Sequence, residues 1–151
     1  EFVEPGFNYR LSEVPAILGL SQMQRFDRIL EDRQRTAGKY GEALAGIPGV
    51  WVPEAPRDTV WSYQSYVVVL DESLDRNEVI ARMDAEGIET TIGTYACHQH
   101  PAFSSWIPGI GDLPNSARFA DQSLTLPLVP HMDLSEVERV VESFRLLLRS
   151  L

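Results

Sequence analysis

Two short runs of this 151-residue chain carry side chains able to do chemistry, and both sit where a helix or a loop begins. The first is Gly6-Phe7-Asn8-Tyr9-Arg10-Leu11, which sets an amide, a phenol and a guanidinium side by side. Arginine presents a planar fork of N–H donors, so the set suits a phosphate or a carboxylate. The plainer reading is a turn with an exposed arginine ahead of a helix, and residue types alone favour it. The second run is Cys97-His98-Gln99-His100, with His131 further on. Thiol and imidazole are metal ligands. Pro101 follows at once, however, and no second cluster has ligand spacing, so no metal site is expected. The competing reading is a loop that presents one imidazole to a ligand. Asp58, Ser62 and His98 can be written down as a triad, but no nucleophile-elbow context supports them. Glycine-rich phosphate loops of the G-x-G-x-x-G or P-loop kind are absent.

These residues must be positioned by the elements around them. Ser12 is placed to cap a helix running to about Ala45, with Pro15 in its first turn, where a missing N–H costs little. Apolar residues keep helical spacing, with slippage near Ser21. Few apolar residues fall between Arg25 and Lys39, so the helix reads as a connector between domains. Gly46-Ile47-Pro48-Gly49 ends it, and Pro53 and Pro56 keep the next stretch irregular. Tyr63 to Leu70 is the clearest strand. Asp75-Arg76-Asn77-Glu78 opens a helix stopped by Gly87. Ile88 to Ile92 reads as a second strand, and Thr94 to Leu113 as a long loop of the kind that is often functional. A short helix over 114–122, a strand over 124–126 and a final amphipathic helix capped at Asp133-Leu134-Ser135-Glu136 complete the order. Trp51, Trp61, Tyr63 and Tyr66 read as core and interface rather than as a binding box. The sum is a small sheet covered by helices.

Composition sets the outer bounds. Hydrophobic residues at 44% supply a core, and charged residues at 23% argue against disorder. The net charge of −9 argues against a nucleic-acid face. No apolar run nears the ~18 residues that cross a bilayer, and no signal-peptide pattern opens the chain. The single Cys97 excludes an internal disulfide and fits a reducing compartment, so a cytoplasmic location is expected. The first residues lack an initiating Met and read as mid-sequence, as in a fragment or processed chain.

Four segments in order resemble the DegT/DnrJ/EryC1/StrS family of sugar aminotransferases. GFNYRLSEVPAILGLSQMQRFDRIL looks like its G-Y-N-Y-R-M segment and following helix. SYQSYVVVL resembles its next strand. GIETTIGTYACHQHPAF resembles its G-I-x-T-x-x-x-Y-x-x-x-H-x-x-P-x-[FY] stretch, and LPNSARFADQSLTLPLVPHMDLSEVERVV its closing L-P-x-[AS]-x-x-x-[AS]-x-x-x-L-x-L-P-L-x-P segment and last helix. The likeness covers essentially the whole chain. Phe7 stands where Tyr is common, Leu11 where Met is common and Cys97 where Leu is usual; the first two leave the polar roles intact, and the third bears on loop packing.

The resemblance implies an α/β, fold-type-I pyridoxal 5'-phosphate enzyme that works as a homodimer. Residues 1–11 would end the large cofactor domain, 12–45 form the connecting helix and 46–151 the small C-terminal α+β domain. Asn8 matches the family asparagine that reaches the cofactor phosphate of the partner subunit. Arg10 matches an arginine near substrate anions, and His98, with Tyr95 nearby, lines the sugar pocket. The reaction implied moves an amino group from L-glutamate or L-glutamine to a nucleotide-linked keto sugar. The Schiff-base lysine is expected upstream. Lys39, the one lysine here, reads as a surface residue beside Arg33, Arg35 and Glu42, so this part alone would be inactive. Two other readings stay open: a non-catalytic dimerisation or ligand-binding module, and a sugar dehydratase of the same family.

Overall fold

The computed structural model describes residues 6–103 and 113–151. Residues 104–112, within the loop expected over Thr94–Leu113, and residues 1–5 lie outside the described set. The chain runs α1 (Glu13–Met23), α2 (Phe26–Leu44), β1 (Val50–Trp51), β2 (Tyr66–Leu70), α3 (Arg76–Ala85), β3 (Thr91–Ile92), α4 (Pro114–Gln122), β4 (Ser123–Leu126) and α5 (Leu134–Leu148). Single 3-10 turns at Cys97–Gln99 and Pro101–Phe103 follow β3.

The four strands form one antiparallel sheet in the order β1-β2-β4-β3. Its central pair sets Tyr66 opposite Leu126, Val68 opposite Leu124 and Val69 opposite Ser123. Alternation along a strand then assigns the faces. Tyr66, Val68, Leu70, Leu124 and Leu126 point into the main core, which α2, α3 and α5 close with Tyr40, Leu44, Val79, Met83, Val137, Val141 and Phe144. Val69 and Ser123 are also buried, on the opposite face. There α4 packs, and its Phe119 meets Trp51 edge-on at 6.2 Å. Burying apolar area at ~25 cal/mol per Å² is the main source of stability for such a layer.

The caps follow the sequence. Asp133 and Glu136 form a reciprocal capping box, and the Asp75 carboxylate accepts from the N–H groups of Asn77 and Glu78. Gly87 takes φ 71°, a left-handed position that glycine tolerates, and ends α3.

Three elements depart from expectation. The connector expected over 12–45 is two helices. Helix α1 ends at Met23, Gln24 and Arg25 turn, and α2 restarts with Arg25 at φ −116°. Only α2 carries an inward face, through Thr36, Ala37, Tyr40 and Leu44, whereas α1 buries nothing. β2 begins at Tyr66 rather than Tyr63, because Tyr63 adopts φ 46° and the Arg33 guanidinium takes the carbonyls of Tyr63 (2.7 Å) and Gln64 (2.8 Å). β3 is confined to Thr91–Ile92. Ile88 is spent in the helix stop, where its N–H donates to Met83 O. The two-residue β1 falls in a stretch expected to be irregular up to Pro53 and Pro56.

Candidate functional site

The two chemically equipped runs lie on separate segments. Residues 6–11 form an irregular, exposed lead into α1. Within it the Asn8 Oδ1 accepts from both the backbone N–H and the Nε of Arg10, each at 3.2 Å. This contact consumes the acceptor oxygen of the amide. The Asn8 Nδ2 and the terminal guanidinium nitrogens of Arg10 are left as a donor set. Phe7 and Tyr9 pack ring against ring at 5.7 Å alongside.

The second run leaves the sheet from β3. Gly93 N donates to Ser123 O at 3.0 Å, and Thr125 Oγ1 donates to Ile92 O at 3.3 Å, so the strand edge is tied to β4 on both sides of the exit. Ala96 is buried and acts as a second anchor. Gln99 N donates to Ala96 O at 2.9 Å, closing the turn that holds Cys97 and His98. Between the anchors Tyr95 stands 65% exposed. Its ring meets His100 at 5.6 Å, so the imidazole in direct contact is His100 and not His98, which is half-buried one residue inside the turn.

Among the described residues no hydrogen bond, ion pair or ring contact joins Asn8 or Arg10 to Tyr95 or His98. Nor do three His, Cys, Asp or Glu side chains converge to hold a metal ion. His131 is far from Cys97 in role: its Nδ1 lies 3.3 Å from Asp32, which also pairs with Arg35 at 2.9 Å. Lys39 is exposed and pairs with Glu42 at 2.8 Å on the rim of a groove of about 580 Å³ between α2 and α5. That groove contains none of the four candidate residues. Trp61, Tyr63, Tyr66 and Tyr40 form a stacked ladder, with neighbouring centroids 4.9, 6.3 and 4.9 Å apart. Tyr40 and Tyr66 are buried in the core and Trp61 and Tyr63 are half-buried; Trp51, against Phe119, is the exposed exception.

Sequence reading did not single out the residues that support the second run. Gly93 faces Ser123 and Val67 so closely that a Cβ there would lie 2.6 Å from Ser123 Oγ and 2.6 Å from Val67 Cγ1. Arg76, from the first turn of α3, donates to both Ala120 O (3.1 Å) and Ser123 O (3.2 Å). A cation at the end of α4 is well placed against the helix dipole.

The chain belongs to the DegT/DnrJ/EryC1/StrS aminotransferase family, whose model matches residues 2–145. It is 31% identical to the spore coat polysaccharide biosynthesis protein SpsC of Bacillus subtilis over 96% of its length and 39% of the relative's. It is 32% identical to a Streptomyces venezuelae dTDP-3-amino-3,4,6-trideoxy-alpha-D-glucose transaminase, over 93% of this chain and 36% of that protein. The structure superposes on S. venezuelae DesV, solved with a ketimine intermediate, at a TM-score of 0.86 and 31% identity. That match covers 96% of this chain and 38% of DesV. The chain thus spans about two fifths of the relatives it matches. Its fold is that of one part of a sugar aminotransferase: five α-helices are described around the small antiparallel sheet.

Proposed function

We propose that this chain is the C-terminal part of a homodimeric, pyridoxal 5'-phosphate-dependent aminotransferase, which moves an amino group from L-glutamate or L-glutamine to a nucleotide-linked keto sugar. The observation that carries this reading is the continuous family correspondence over residues 2–145, which includes both chemically equipped runs. In this reading residues 1–11 close the large domain, 12–45 connect and 46–151 form the small domain.

The donor chemistry fits the cofactor. A phosphate monoester is an acceptor with two negative charges or nearly so. The Asn8–Arg10 contact fixes the amide with its oxygen turned to the arginine, which aims Nδ2 outward as a donor. Asn8 would hold the phosphate of the partner subunit's cofactor. Arg10, permanently charged, would bind an anionic group of the substrate. Tyr95 and His98 would shape the sugar pocket with a phenol and an imidazole, both of which donate and accept toward sugar hydroxyls. When bound, the cofactor supplies an aldehyde that carries the amino group and a ring that acts as an electron sink. Lys39 takes no part: its ammonium is committed to Glu42 on the outer surface of α2, and the reaction requires a lysine from outside this chain.

The test is made on the full-length holoprotein. Asn8→Ala is expected to weaken cofactor retention about tenfold, the ~1.4 kcal/mol of a hydrogen bond to a charged group. It is read by titrating pyridoxal phosphate absorbance after dialysis. Arg10→Lys should retain the cofactor and raise the KM of the substrate. Unchanged cofactor affinity in Asn8→Ala, together with unchanged kinetics in Arg10→Lys, would reject the assignment.

A further inference from the structure

The geometry points to Gly93, seated against Ser123 and Val67, as a positioning residue that sets the sugar pocket by fixing where Tyr95 and His98 leave the sheet. The inference rests on the proposal that these two side chains line that pocket.

Gly93 sits one residue past β3 and two before Tyr95. Its backbone is not left-handed, so the demand for glycine is one of space alone. Three heavy atoms crowd the position a Cβ would take: Ser123 Oγ at 2.6 Å, Val67 Cγ1 at 2.6 Å and Ser123 Cβ at 2.7 Å. None is the free end of a long side chain. Ser123 is fully buried, and Val67 is β-branched and stiff at χ1. Relief therefore falls on the chain of residue 93 itself. Ser123 cannot recede easily, because its carbonyl is held twice, by Gly93 N at 3.0 Å and by Arg76 Nη1 at 3.2 Å. Thr125 Oγ1 holds the carbonyl just before, at Ile92.

Beyond Gly93 the next fixed point is Ala96, 2% exposed. Tyr95 lies between the two anchors, and His98 hangs on the turn that Ala96 O closes. Lifting residue 93 off β4 tilts this short span and carries both side chains with it. Displacements near 1 Å in a binding constellation cost up to about a hundredfold.

The experiment compares Gly93→Ala, Thr125→Val, Tyr95→Phe and His98→Ala with the unaltered full-length protein. The two half-reactions are followed separately, and the cofactor-free protein is titrated with dTDP-glucose and UDP-glucose. Thr125→Val is the mild variant, removing only the hydroxyl that holds Ile92. Expected for Gly93→Ala is a tenfold to hundredfold weaker sugar-nucleotide Kd and a matching rise in keto-sugar KM. The amino-donor half-reaction should keep its rate, and Thr125→Val should shift the sugar terms a few-fold in the same direction. A triple variant with Val67→Ala and Ser123→Gly beside Gly93→Ala should recover part of the loss, since it reopens the space. Equal damage to both half-reactions, or none in either Gly93→Ala or Thr125→Val, overturns the inference. If Tyr95→Phe and His98→Ala leave the sugar terms unmoved, or neither nucleotide sugar binds the unaltered protein, the underlying pocket assignment fails instead.

Discussion

Tyr40 and Tyr66 stack at 4.9 Å in the core, yet their hydroxyls have different fates. The Tyr40 hydroxyl donates to Pro127 O at 2.8 Å, while the Tyr66 hydroxyl, beside Gly41, meets no hydrogen-bond partner among the described residues. A buried hydroxyl without a bond is costly, and one with a bond is worth about 1 kcal/mol. Tyr40→Phe should therefore destabilise by about 1 kcal/mol, and Tyr66→Phe should be neutral or stabilising by about 1 kcal/mol, read from urea unfolding midpoints. Burial, with Tyr63 nearby, pushes Tyr66 up to about 12 from an ordinary 10. The folded state then keeps a proton that the unfolded state releases. Stability is unaffected below pH 10 and falls as pH rises from 10 toward 12. Tyr66→Phe should flatten that decline, and an unchanged slope would remove Tyr66 as its source.

At the scale of elements, capping decides where helices start. Asp75→Ala strips the partner of two N–H groups at the start of α3 and is expected to cost about 1 kcal/mol in thermal or chemical unfolding. Asp133 is held below the usual aspartate value by the Ser135 hydroxyl and the Glu136 N–H, and Asp71 by the N–H and hydroxyl of Ser73. Both depressed carboxylates add stability above the unfolded value near 3.8 and lose it as pH falls through their lower folded values. Acid unfolding monitored below pH 4 should shift to higher pH in Asp133→Asn. Local side-chain patterns explain what was readable in advance: capping residues marked the openings of α3 and α5, and the span 114–122 was that of α4. What was not readable was settled by distant groups: Arg33 cut three residues from β2, and the stop of α3 claimed Ile88 from β3. β1 is too short for any period to register, and exists because Val50 meets Leu70 and Trp51 meets Val69.

For the whole molecule, the contrast between α1 and the rest is the main fact. Val14, Ile17, Leu18, Leu20 and Met23 are all more than 60% exposed, whereas the core beneath α2 and α5 is closed. An apolar surface of this kind marks contact with another body. If α1 lies in the contacts that a homodimer requires, Ile17→Glu with Leu18→Glu should shift the full-length protein toward monomer in sedimentation. The candidate site was legible in the sequence as residue types alone. Asn8 and Arg10 stood out as an amide and a guanidinium two positions apart, but their bond to each other is visible only in the structure. Tyr95 and His98 were visible as chemistry, but the support under them was not, because Gly93, Val67 and Ser123 converge from three strands or their edges. No helix among the described residues is long and apolar enough to cross a membrane.

The antiparallel marriage of β2 with β4 has a consequence for how the chain acquires its shape. Tyr66 must find Leu126, and Val69 must find Ser123, with α3, β3 and α4 intervening in the sequence. Such distant pairing delays the rate-limiting collapse, since a long loop closes before any contact repays it. During synthesis, β2 leaves the ribosome with only the two-residue β1 to pair with, its other edge waiting for β4, and in that interval it is the stretch a chaperone would have most reason to grasp.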